Sequence, residues 1–250
     1  MTRTFSSASE DSPRLDRAAI TEFFEQRAVK AETLGPVRAV IYQDKDPDLA
    51  ERRDAAEKAL LLPKMQLESH HRVLDIGCGT GRWAQALLPQ CSSYHGADMS
   101  PGLVRIAEGM FAADAKVRFS VCAADALSLD ALGEREPFDR LLCAGVLMYL
   151  NDDEALRALE AMAEVAAPEA LIVLREPLAT NLRLTITEHF SEDMEQNYNA
   201  MYRSEPELIA MIDQTLSASG FRVRDRGDVY LDAALNNRAD TKQRWIVIAR

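Results

Sequence analysis

The chain has 250 residues, with 29 Lys plus Arg against 40 Asp plus Glu, for a formal charge of −11. Its 47% apolar content is enough to build a core, which excludes wholesale disorder and fits one domain of roughly 200–250 residues or two smaller ones. An acidic chain lacks the clustered Lys and Arg that neutralise phosphates, which argues against nucleic acid and anionic membrane as partners.

Residues 1–13 are rich in Ser, Thr and charge, lack the apolar stretch of a secretory signal, and read as a flexible tail. A helix is predicted over Leu15–Leu34, where Ile20, Phe23, Phe24, Ala28 and Ala31 fall near a 3.6 spacing, with Gly35-Pro36 stopping it. A second helix is predicted from Asp46, with Pro47 at its first position, to Leu62. Its inner face is expected to hold Leu49, Arg53, Ala56 and Leu60. Residues 14–68 thus read as a helical cap, and 69–250 as the main domain.

From Arg72 the pattern changes. Short apolar runs at Arg72–Ile76, Ser93–Asp98, Val117–Cys122, Phe138–Cys143 and Ala170–Leu174 alternate with helical stretches. Those stretches are Arg82–Leu88, Pro101–Phe111, Ala124–Leu132 and Asp152–Val165. The alternation predicts an α/β fold, a doubly wound and mostly parallel sheet. Arg175–Arg203 shows no clear strand and reads as an insertion after strand five, a lid over residues 176–203. A helix follows over Glu205–Ser219, with Ser204 as N-cap and Gly220 at its end. Two last strands, Phe221–Arg226 and Arg244–Ala249, are joined by a short polar segment holding Asn236-Asn237, so the last strand returns antiparallel. Seven strands result.

No apolar run approaches the ~20 residues that cross a bilayer, so no membrane span is expected. Cys78, Cys91, Cys122 and Cys143 form no C-x-x-C pair, so neither a disulfide framework nor a metal site is expected, and the setting reads as cytoplasmic. Oligomeric state is not legible.

The informative segment is Val73-Leu74-Asp75-Ile76-Gly77-Cys78-Gly79-Thr80-Gly81. A strand ends near Asp75, and Gly77, Gly79 and Gly81 let the chain turn and let a ligand approach the backbone. Asp98 ends the second strand, where a carboxylate can accept hydrogen bonds from two ribose hydroxyls. The spacing G-x-G-x-G differs from the dinucleotide fingerprint G-x-G-x-x-G. A carboxylate at Asp75 would repel a pyrophosphate but suits an ammonium group. A ligand with an adenosine-like ribose and a cationic amino-acid end fits, and S-adenosylmethionine (SAM) has both.

On these residues the chain, from about Arg72 onward, resembles the class I SAM-dependent methyltransferases. The resemblance implies that Asp75, Gly77, Cys78, Gly79 and Gly81 form the first cofactor motif, and that Asp98 holds the ribose with Met99 against the adenine. It implies that Asp125 bonds the adenine amino group with the backbone beside it, Ala126 included, reading the ring, and that Ala144 borders the cofactor. S-adenosylhomocysteine (SAH) would be the product.

A methyl acceptor that carries a proton needs a base, sought where strands four and five end. Glu176, Tyr149 and His189 are the candidates, with His189 ranked first for chemistry and Glu176 first for lining the pocket. His70 and His71 lie at the opposite end of the sheet. Arg52 or Arg53 could reach the methionine carboxylate. The insertion holds five acids (Glu176, Glu188, Glu192, Asp193, Glu195) and two bases (Arg183, Arg203), a net 2 − 5 = −3, which favours a neutral or cationic substrate.

The expected function is methyl transfer to a hydroxyl, or second to an amine, of a small metabolite such as a sugar or natural-product intermediate. Cys143-Ala144-Gly145-Val146 replaces the Asn/Asp-Pro-Pro-Tyr-like run of the family's amide and nucleobase methylating enzymes. A protein or RNA methyltransferase, an NAD-dependent oxidoreductase and a SAM-binding protein without methyl transfer stay open as alternatives.

Overall fold

The computed structural model describes residues 2–7, 13–236 and 238–250. The chain begins with β1 (Thr2–Ser6), followed by α1 (Arg17–Leu34), α2 (Pro36–Ile41) and α3 (Pro47–Leu61). The alternating part comprises β2 (Arg72–Ile76), α4 (Ala84–Leu87), β3 (Ser93–Asp98), α5 (Pro101–Met110), β4 (Val117–Val121), β5 (Phe138–Ala144), α6 (Asp152–Val165) and β6 (Ala166–Ala179). Then come β7 (Arg183–Ser191), β8 (Gln196–Tyr202), α7 (Glu205–Leu216), β9 (Arg222–Asp228) and β10 (Thr241–Ala249).

The main sheet has seven strands in the order β4-β3-β2-β5-β6-β10-β9. β2 through β6 pair in parallel, and β10 lies antiparallel between β6 and β9. This is the predicted doubly wound sheet with its last strand reversed. The chain leaves β2 toward one edge for β3 and β4, then returns to its other side for β5 and β6. That reversal opens a crevice at the carboxyl ends of β2 and β5, where such sheets bind ligands.

The strands are apolar on both faces because both are covered. Val73, Leu74 and Ile76 of β2 are all buried. One core forms between the sheet and α6 and α7, around Leu141, Leu159, Ile172 and Ile248. Another forms on the opposite face around Leu61, Trp83, Tyr94, Val173 and Trp245. The helix starts follow from local chemistry. Ser100 accepts from the Leu103 N–H at the start of α5, with Pro101 next, and Asn151 and Glu154 form a capping box on α6. Ser204 and Glu207 do the same for α7.

Four expectations need correction. Residues 2–6 of the expected flexible tail form β1, paired antiparallel with β7, while residues 8–12 lie outside the described residues. The insertion is not strandless: β7 and β8 form a hairpin that joins β1 in a second, three-stranded sheet. Gly35-Pro36 does end the first helix as expected, Gly35 turning the chain at φ +83°, and Pro36 at once starts a further short helix, α2. No α-helix follows β4. A short 3-10 turn at Ala124–Ala126 ends at extended Leu127, and Ser128 Oγ caps the next turn. In α3 the buried face is Ala50, Glu57 and Leu61, one position round from the face expected. Asn237 lies outside the described residues. Among the described residues no helix is long and apolar enough to cross a membrane.

Candidate functional site

The crevice at the ends of β2 and β5 opens into a cavity enclosing about 1710 Å³, its mouth included. Its inner end is the glycine loop. Gly77, Gly79 and Gly81 all have positive φ, at 71°, 56° and 78°. A Cβ on Gly77 would collide with Val146, so the loop packs against the turn after β5 only without a side chain there. Asp98 braces the loop from β3. Its Oδ2 accepts from the Gly79 N–H and its Oδ1 from the Ser100 N–H, each at 2.9 Å. Burial pushes this carboxyl up, against the pull of those two N–H groups.

The cap closes the loop from above. Thr80 Oγ1 donates to the Pro36 carbonyl at 2.9 Å, and Val40 of α2 lies over Gly79. From α1, Glu25 accepts from Ser100 Oγ and from the Gly102 N–H. The inner cavity is lined by the ends of β3, β4 and β5 (Asp98–Met99, Cys122–Ala124 and Ala144–Val146) and by Gly77–Gly79 and Leu103.

Its outer end is aromatic. Phe24, Tyr42, Tyr149, Tyr198 and Tyr202 converge there, with Phe24 and Tyr149 4.9 Å apart at 83° and Tyr149 and Tyr198 6.3 Å apart at 87°. The Tyr198 and Tyr202 hydroxyls are 2.6 Å apart. Among the described residues the buried Tyr149 hydroxyl has no partner in close hydrogen-bond geometry, with Tyr42 and Tyr198 its polar neighbours. Burial drives the Tyr149 and Tyr198 hydroxyls well above their ordinary pKa and pushes Tyr42 up to about 12, so all three stay protonated near neutral pH.

Beneath the cavity is a network of ion pairs. Buried Glu57 of α3 accepts from Arg82 at 2.7 Å and from Arg175 at 2.6 Å, and Arg82 also pairs with Asp54 at 2.8 Å. Burial alone would raise the Glu57 carboxyl, but the two guanidiniums bring it down to about 2. Arg53 donates through Nε and Nη2 to the Leu235 carbonyl and stacks on Tyr230.

The residues singled out from sequence divide accordingly. Gly77, Cys78, Gly79, Asp98, Met99, Ala144, Tyr149 and Arg53 line the cavity. Asp75 sits beneath it, buried, with its Oδ2 accepting from Tyr94 Oη at 2.6 Å, and burial pushes its carboxyl up to about 7. Asp125 is held by Arg17 in a two-bond pair of 2.9 Å each and by Arg157, and neither it nor Ala126 lines the cavity. Gly81 shapes the loop without lining it.

The two leading base candidates are elsewhere. His189 is half-buried on β7, outside the cavity, its charged form disfavoured by burial and by Arg238. The Glu176 carboxylate accepts from three consecutive backbone N–H groups, Val146 at 2.8 Å, Leu147 at 3.0 Å and Met148 at 3.3 Å. It anchors the turn that presents Tyr149 and does not line the main cavity. Arg52 is exposed, 3.7 Å from Asp232. Sequence reasoning missed Glu57, Arg82 and Arg238. The available signal was Glu57 itself, a carboxylate seven and four residues from buried Ala50 and Leu61 on a helix face.

Residues 73–169 match the family described as a methyltransferase domain. No curated protein sequence matches the chain. Among solved structures, 1,6-didemethyltoxoflavin-N1-methyltransferase of Burkholderia thailandensis, with 1,6-didemethyltoxoflavin and SAH bound, superposes with a TM-score of 0.65 at 18% identity over 100% of this chain and 99% of that one. The N-methyltransferase NodS of Bradyrhizobium japonicum, with SAH bound, superposes at 0.61 and 15% identity over 93% and 98%. The cyclase SpnF shares the fold at 0.65 and 17% identity over 96% and 97%. Residues 73–169 thus carry a methyltransferase domain, and the fold of the whole chain is the one these SAH-bound methyltransferases share.

Proposed function

We propose that the protein transfers a methyl group from SAM to oxygen or nitrogen of a small molecule held in the tyrosine-lined chamber. The observation that carries this is the continuity of one cavity from Gly77, Gly79 and Asp98 to Tyr149, Tyr198 and Tyr202. When bound, SAM supplies a methyl on a positively charged sulfur, open to attack in line with the departing sulfide.

The residues of the inner end fit that group. The second lone pairs of the Asp98 carboxylate accept from the ribose hydroxyls while the first keep Gly79 and Ser100 in place. Met99, Leu103 and Cys122–Ala124 offer an apolar slot for the adenine. Arg53, its Nη1 turned from Leu235, takes the methionine carboxylate. Asp75 supports the loop from below rather than meeting the ammonium group directly.

In the outer end, the Tyr149 hydroxyl stays protonated and donates to the acceptor. No histidine lines the cavity among the described residues. The acceptor therefore brings its own free lone pair, and alignment of nucleophile, methyl and sulfur supplies the rate. Enclosure under α1, α2 and the β1-β7-β8 sheet favours a small acceptor over a polypeptide or RNA.

The test has two parts. SAM and SAH should raise the melting temperature where NAD does not, by about 2.7 kcal/mol of stability at ~100 times the dissociation constant. Methyl-labelled SAM incubated with protein, RNA and small-molecule fractions of a cell extract should label the small-molecule fraction. Stabilisation by NAD alone, or label confined to protein or RNA, overturns the proposal.

A further inference from the structure

We propose that the methyl acceptor is a flat anion, its body between the chamber's tyrosines and its negative group on Arg238. This deepens the reading above and rests on it.

The argument begins with charge. Five arginines line the cavity: Arg17, Arg53, Arg82, Arg175 and Arg238. Arg17 is neutralised by Asp125 and Glu154, Arg82 by Asp54 and Glu57, and Arg175 by Glu57. Arg53 and Arg238 have no carboxylate partner among the described residues. Arg53 spends two donors on the Leu235 carbonyl and lies on Tyr230, which leaves Arg238, held on Tyr202 and Tyr198, as the cation of the tyrosine chamber.

Arg238 reaches in just ahead of β10. Its Nη1 donates to Tyr202 Oη at 2.7 Å, and its guanidinium lies 5.7 Å from the centre of the Tyr198 ring. A guanidinium carries five N–H donors, so one bond to a phenol leaves most of its fork available. Tyr198 and Tyr149 do not neutralise it, since burial holds their hydroxyls well above the ordinary pKa. Asp240, two residues on, is paired with Arg3 at 2.5 Å. The acids of the β7-β8 region, Glu188, Glu192, Asp193 and Glu195, are exposed and do not line the cavity. The chamber is therefore locally positive in a chain of net charge −11, the reverse of what the acidic sequence of this region suggests.

Shape agrees with charge. Phe24 meets Tyr149 edge-on, and Tyr149 meets Tyr198 edge-on, so the wall is made of ring edges and faces that suit a planar guest. A guanidinium at the end of an aromatic slot is the arrangement that takes a carboxylate, a phosphate or an acidic ring substituent by a charge-assisted bond.

The probes are benzoate, benzamide and benzylamine, which share a ring and differ in charge, titrated by calorimetry into the SAH-saturated protein. The wild-type chain should bind benzoate at least about tenfold more tightly than benzamide, as one charge-assisted hydrogen bond contributes. Arg238→Gln should abolish the preference, and Arg238→Lys should keep most of it. Arg224→Gln removes an equal charge from the exposed face of β9 and should leave the preference as it was. SAH titration of each variant reports on the cofactor end. Benzamide or benzylamine binding as tightly as benzoate, no benzoate binding at millimolar concentration, or a preference that survives Arg238→Gln overturns the proposal. If SAH itself does not bind, the methyltransferase reading fails, and the same titration of the SAH-free protein still decides the charge preference.

Discussion

On the proposed reading Asp98 has two tasks, to hold the ribose and to brace the glycine loop, and the structure shows the brace. Its oxygens already hold the Gly79 and Ser100 N–H groups, so Asp98→Ala removes the ribose acceptor and also frees two backbone donors. SAH affinity should fall at least tenfold, and the melting temperature of the SAH-free protein should fall as well, because each unsatisfied donor costs about 1–3 kcal/mol. A variant that loses affinity with an unchanged melting temperature would show that the loop does not depend on this brace. Asp75 behaves in the opposite sense. Its folded carboxyl titrates at about 7 against an ordinary 3.8, so the native state holds the extra proton and loses stability as pH rises through that window. Asp75→Asn keeps an acceptor for Tyr94 and removes the charge. Its stability relative to wild type should be small near pH 4, grow by a few kcal/mol through pH 7, then level off; a flat difference across pH would refute the burial argument. His189→Ala should leave turnover within about twofold of wild type once an acceptor is known. A loss on the scale of ~10²–10⁴ would return the residue to the role of base.

At the level of elements, the turn after β5 depends on a residue 30 positions away. Glu176 holds the Val146, Leu147 and Met148 N–H groups from β6 and so fixes the place of Tyr149. Glu176→Ala leaves three donors without their acceptor and should cost about 3 kcal/mol or more, with weaker acceptor binding and little change in SAH affinity. Unfolding by denaturant and SAH titration together check this; full stability would mean that water replaces the carboxylate. The same region marks where the sequence was legible and where it was not. The Asp152–Val165 helix could be read because it buries a periodic apolar face, and the main sheet because its strands alternate with helices at short separation along the chain. The glycine loop and Asp98 were legible because a strand, a turn without side chains and an acid have a fixed spacing. β7 and β8 were not, although Thr185, Ile186 and Thr187 form a β-branched run that suits a strand. β7 finds its second neighbour in β1, 177 to 185 residues earlier, and no local period encodes that pairing. The two leading base candidates, His189 and Glu176, lie off the cavity for a related reason. Position after a strand end says where a backbone lies, but three N–H groups from another loop decided which way Glu176 points.

Across the whole molecule, the cap and the sheet are joined through one buried carboxylate. Glu57 comes from α3, Arg82 from the segment after the glycine loop and Arg175 from β6, and all three meet under the cavity floor. An ion pair of this kind gains little over an apolar core, since desolvation offsets attraction, but half of it is costly: an uncompensated buried charge is destabilising by about 3–5 kcal/mol. Glu57→Gln leaves Arg175 with a neutral acceptor and Arg82 with Asp54 as its remaining carboxylate. The melting temperature at pH 7 should fall by about 10 °C, given that a domain of this size loses roughly 2–4 °C per kcal/mol. The pH dependence gives an independent check. The folded Glu57 carboxyl lies at about 2 against an ordinary 4.5, so its stabilisation is fully present above 4.5 and is lost as pH falls toward 2. A protonated Glu57 resembles Gln, so the gap between wild type and variant should be widest at neutral pH and close as acid is added. Equal melting temperatures at pH 7 would mean that the cap stays on the sheet by its apolar contacts alone, and that Arg82 and Arg175 find other partners when Glu57 is gone.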